Sequence, residues 1–73
     1  MKKETTKVKV VIDNKFHNTD RTLLLSLMPS LAVDSDELNQ TEKSFTGEVY
    51  LDTFSALCIL EDAGILSVEQ IGD

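Results

Sequence analysis

The chain has little of what small proteins use to reinforce a fold. It has one cysteine, Cys58, so no internal disulfide can form. Its one histidine, His17, leaves no His/Cys set of the kind that holds zinc. Tryptophan is absent and only Phe16, Phe45, Tyr50 and Phe54 are aromatic, so the core must be aliphatic and built largely on leucine. No glycine-rich stretch offers a phosphate loop. No apolar run approaches the roughly 20 residues of a bilayer-spanning helix, which argues against a membrane protein. Basic residues nearly vanish after Arg21: residues 22–73 carry Lys43 alone against ten carboxylates.

What is present is one domain's worth of chain. At 73 residues the buried fraction is limited and the stability margin thin. Without a disulfide or metal, a second copy of the chain or very good packing must help. The net charge is −6, with a basic excess confined to the N-terminal end. Lys2 and Lys3 are followed by Glu4, Thr5 and Thr6 where an export signal would begin its apolar run. A free cysteine without such a signal fits a reducing, cytoplasmic setting.

Residues 1–5 read as a disordered basic tail and residues 6–73 as a single α+β domain. Val8, Val10 and Ile12 alternate with Lys7, Lys9 and Val11, which predicts a half-buried strand over residues 6–13. Asp13-Asn14-Lys15 predicts a turn. Residues 18–31 hold five leucines and a methionine behind the capping candidates Asn18, Thr19 and Asp20, and predict a helix that stops or kinks at Pro29. Residues 32–43 are polar and acidic and read mostly as loop, with Asp34 and Glu37 at capping-box spacing for a short helical turn. Phe45, Gly47, Val49 and Leu51 share one face of a second strand, with Gly47 marking a bulge or a close approach. Asp52 is placed to cap a helix over residues 53–63, and Gly64 sits where a left-handed terminal residue is wanted. Ser67 and Gln70 have the spacing of another capping box, opening a short last helix. The predicted order is β-α-β-α-α, with a two-stranded sheet packed against two apolar helices. Two strands make a marginal sheet. A third strand within residues 32–43, or continuation across a dimer or onto a partner, would complete it.

Residues 60–71 resemble the middle of a helix-turn-helix, with Ala63-Gly64-Ile65 as the turn. A nucleic-acid-binding regulator built on residues 53–73 is the resulting alternative. The chemistry fits poorly: the second helix would carry Glu69 and Asp73 and no basic residue, whereas base and phosphate readout needs donors. An αα-corner closing the core accounts for the same residues. Asp34-Ser35-Asp36 opens like a calcium loop, but Leu38, Asn39 and Phe45 stand where that loop needs an oxygen ligand, a glycine and a glutamate. Cys58 lies among apolar residues and reads as core, not as a nucleophile. No catalytic, cofactor or metal-ligating set emerges.

Two surfaces remain as candidates. A helix that is apolar nearly all round must be buried nearly all round. Leu24, Leu27, Met28 and Leu31 therefore form either packed core or the apolar interface of a homodimer. Asp34, Asp36, Glu37, Glu61 and Asp62 would attract a basic protein partner and repel nucleic acid. Tyr50 is placed as an aromatic anchor. These features describe a small, acidic, non-enzymatic interaction module. By analogy alone, it is similar to regulators and inhibitors that phages and mobile elements encode to dock on a host protein. A partial mimic of DNA phosphates is the remaining alternative.

Overall fold

The computed structural model describes residues 4–71, which form β1 (Thr5–Ile12), α1 (Asn18–Leu31), β2 (Asp34–Asn39), β3 (Ser44–Tyr50), α2 (Leu51–Asp62) and β4 (Leu66–Gln70). The sheet order is β2-β3-β1-β4, with every neighbouring pair antiparallel. β1 and β2 thus run parallel with β3 between them, and β3 and β4 run parallel with β1 between them. These two interleaved split β-α-β units make the ferredoxin-like topology.

The expected β-α-β-α-α order and two-stranded sheet are overturned by two additional strands. β2 reads Asp-Ser-Asp-Glu-Leu-Asn, and its only large apolar residue is Leu38. On this edge strand the exposed carboxylates leave no apolar alternation, and it replaces the predicted loop. β4 reads Leu-Ser-Val-Glu-Gln, with Leu66 and Val68 facing the core. Five alternating residues outweigh the Ser67–Gln70 capping spacing because β1 offers an unpaired edge. The Gln70 amide instead donates to the Thr6 hydroxyl at 3.0 Å. The helix-turn-helix reading falls with it, since its second helix is a strand.

β1 lies between β3 and β4 and buries Val8, Val10 and Ile12, as their alternation predicts. Phe45 and Val49 from β3, Leu25 and Met28 from α1, Leu57 from α2 and Leu66 from β4 complete the core. Both helices lie on this face. Thr5 opens β1, and the Glu4 carbonyl accepts the Leu51 amide at 3.3 Å, so part of the expected tail is ordered. Lys2 and Lys3 lie outside the described residues, as does Asp73.

The helix boundaries shift from those predicted. α1 continues through Pro29 to Leu31, since a proline in the last turn removes only one helical hydrogen bond. Its N-cap is His17, which makes no side-chain capping bond, in place of the predicted Asn18, Thr19 or Asp20. α2 starts at Leu51, so Leu51 is not a strand residue; Asp52 sits in the first turn, where its charge complements the helix dipole, instead of capping. Gly64, at φ +80, closes α2 in the left-handed conformation expected of it. The Asp13 carboxylate accepts the Lys15 amide at 2.8 Å, forming the predicted turn.

Gly47 fulfils the close-approach expectation. A Cβ there would lie 2.5 Å from the Asp34 carbonyl oxygen and 2.6 Å from the Phe45 ring. β2 bulges beside it, between Ser35 and Glu37. Gly47→Ala is expected to destabilise the fold by about 1–3 kcal/mol, the usual range for overpacking, as measured by urea unfolding.

Candidate interaction surface on the open sheet face

Side chains alternate along each strand, so burying Val8, Val10 and Ile12 sends Lys7, Lys9 and Val11 to the other face. Neither α1 nor α2 covers that face. Residues directly opposite each other in an antiparallel pair share a face, and the register then assigns its occupants. Lys7 stands opposite Glu48, Lys9 opposite Glu69, and Asp34 opposite Glu48. Lys7 Nζ lies 3.4 Å from the Asp36 carboxylate, and Lys9 Nζ lies 3.7 Å from Glu42. Glu37 is opposite Thr46 on the same face. Two lysines are thus ringed by Asp34, Asp36, Glu37, Glu42, Glu48 and Glu69. The Thr5 hydroxyl donates to the Glu48 carboxylate, which fixes that side chain.

The pairing of Asp34 with Glu48 stands out energetically. Opposite charges in directly facing positions support a sheet, and like charges weaken it by a few tenths to about 1 kcal/mol. The lysines of β1 follow that rule on both sides; Asp34 breaks it. Local rules broken without an internal gain mark functional positions more often than structural ones.

The structure separates the acidic residues that the sequence groups together. Asp34, Asp36 and Glu37 lie on the β2 edge strand. Glu61 and Asp62 belong to α2, which packs chiefly against β4 at the opposite edge. Three strand spacings, about 14 Å, divide β2 from β4. Glu61 acts locally, since its carboxylate accepts the Val68 amide at 3.1 Å. The hydrogen bonds from Ile71 to Lys7 and from Asp13 to Ile65 set the β1–β4 phase, which points the Val68 amide away from β1. Glu61 thereby covers an outward donor of the edge strand. It borders a cleft of about 380 Å³ with Lys9, Val11, Ser67, Val68 and Glu69. Glu42, Glu48 and Glu69 are site residues that the sequence does not single out. The strand register gathers Glu48 and Glu69, and the ion pair with Lys9 brings in Glu42; neither is evident in the sequence.

Tyr50 ends β3 opposite Thr5 and is 38% exposed. With Glu4, Leu51 and Asp52 it lines a cleft of about 270 Å³ at the end of the sheet.

The apolar candidates divide as well. Met28 is in the core and Leu24 is half-buried against it, while Leu27 and Leu31 face solvent. Leu23, absent from the predicted apolar patch, is the most exposed leucine of the helix at 60%. The spacing Leu23-Leu27-Leu31 is the signal that identifies this face.

Cys58 is half-buried on α2 and His17 is exposed at the start of α1. Among the described residues no group of three or more His, Cys, Asp or Glu side chains could hold a metal ion. No helix among them is long and apolar enough to cross a membrane. Comparison with protein-family models, curated proteins and solved structures gave no match.

Two outcomes are expected. Asp34→Lys should raise the urea midpoint by the equivalent of about 0.2–1 kcal/mol, because it turns a like-charge pair into an opposite-charge one. Glu61→Ala should speed hydrogen exchange at the Val68 amide and cost less than about 1.5 kcal/mol of global stability. Unchanged exchange at Val68 would remove the edge-covering role.

Proposed function

We propose that this protein is a non-enzymatic interaction module that docks its open sheet face on a basic surface of a partner protein. The observation that carries the reading is the Asp34–Glu48 pair, set among further carboxylates on a face that neither α1 nor α2 covers. A cationic partner group placed between the two carboxylates would convert their repulsion into charge-assisted hydrogen bonds. The surrounding carboxylates would speed the encounter and suppress acidic partners, nucleic acid included. A phosphate mimic is a special case of the same surface, in which the basic partner is a DNA-binding protein.

A lysine- and arginine-rich synthetic peptide serves as the probe. Asp34→Lys with Glu37→Lys should weaken its binding about tenfold or more at low salt, within the 1.5–7 kcal/mol coupling range of close interfacial charge pairs. Asp20→Lys with Asp62→Lys changes the net charge equally, away from this face, and should have a much smaller effect. Equal losses from the two variants would reduce the interaction to net charge and defeat the proposal. Displacement of a bound basic protein by duplex DNA would identify the phosphate-mimic case.

A further inference from the structure

We infer that the outer face of α1 is a homodimer surface, covered by α1 of a second copy of this chain. Leu23, Leu27 and Leu31 are 60%, 55% and 46% exposed, and Val33 just beyond the helix is 47% exposed. Four helical residues rise about 6 Å, so the three leucines form one ridge about 12 Å long. Exposed single leucines are ordinary, but three in register on one helix make a contiguous apolar strip.

Charge selects the occupant. Residues 22–33 contain no charged side chain, in a protein of net charge −6. A basic partner gains nothing electrostatic from such a strip. Two copies of the same acidic protein, which repel across most orientations, meet here without opposing charges. The ridge is also self-complementary. A two-fold axis through Leu27 runs the two helices antiparallel and sets Leu23 of one copy against Leu31 of the other, so that each residue contact is made twice. This surface is independent of the proposed docking face, because α1 lies on the other side of the sheet from the carboxylates. The dimer would therefore present two acidic faces outward and bind a repeated basic surface with avidity.

Sedimentation equilibrium on the full chain, from micromolar to near-millimolar protein, tests this. The expected mass at the upper end is twice the 8.1 kDa of one chain. Leu27→Glu should weaken association by roughly 30-fold or more, as expected at the centre of an interface, while far-UV circular dichroism stays unchanged because Leu27 is outside the core. Ile59→Glu, at a still more exposed apolar position on α2, should leave the dimer intact. In a Cys58→Ser background, Leu27→Cys should cross-link to itself through a short bismaleimide. Leu23→Cys should cross-link only when mixed with Leu31→Cys. A single-chain mass at every concentration, or a dimer indifferent to Leu27→Glu, overturns the inference. Self-cross-linking of Leu23→Cys overturns the antiparallel arrangement.

Discussion

The structure depends on the central position of β1. Val8, Val10 and Ile12 are at most 1% exposed, and the backbone between them is hydrogen-bonded to a strand on each side. A chain of this size has one core, and among the described residues this strand supplies a third of those that are buried and apolar. Both helices cross to the same face because that is where β1 presents its valines. The other face is then left with the lysines that alternate with them. The charges on β3, β2 and β4 take their positions relative to those two lysines. Core and candidate site are therefore two consequences of one alternating segment.

That segment is also the most legible part of the sequence. β1 and β3 alternate cleanly because each has one face on the core, and Gly64 announces its left-handed geometry because no other residue type adopts it without cost. β2 and β4 are hidden for different reasons. In β2 the acidic residues that suit an exposed edge erase the pattern by which strands are found. In β4 the alternation is real but short, and Ser67 and Gln70 offer a helical explanation of the same five residues. Without both strands the site is hidden too. Asp34, Asp36 and Glu37 are legible as acidic, but their alignment with Glu48 exists only through the β2–β3 register. On α1, a stripe drawn through Leu24 and Met28 in place of Leu23 is rotated by about one residue from the exposed one, so it takes in core positions.

The two sheet edges are both guarded. β2 carries carboxylates along its length and a bulge at its middle, devices that discourage another strand from adding. On β4 the Glu61 carboxylate occupies the outward Val68 amide. Recognition by strand addition would have to displace these groups. Recognition through faces would not, and the faces are where unbalanced features remain. On one side it is a like-charge pair; on the other it is an uncharged leucine ridge.

These features are costly on the scale of the protein. A domain of this length rarely draws more than about 3–5 kcal/mol of net stability from its core. A like-charge pair costs up to about 1 kcal/mol of that. Each exposed leucine forgoes much of the roughly 1.5–3 kcal/mol that full burial would contribute. A polar substitution at any of the three ridge positions would remove an aggregation risk without touching the core, and a lysine at position 34 would mend the sheet. The two costs also lie on opposite layers of the molecule, so relieving one by contact leaves the other untouched. A single partner covering one surface would account for only half of the imbalance. Two separate contacts, one uncharged and one cationic as proposed, would account for both.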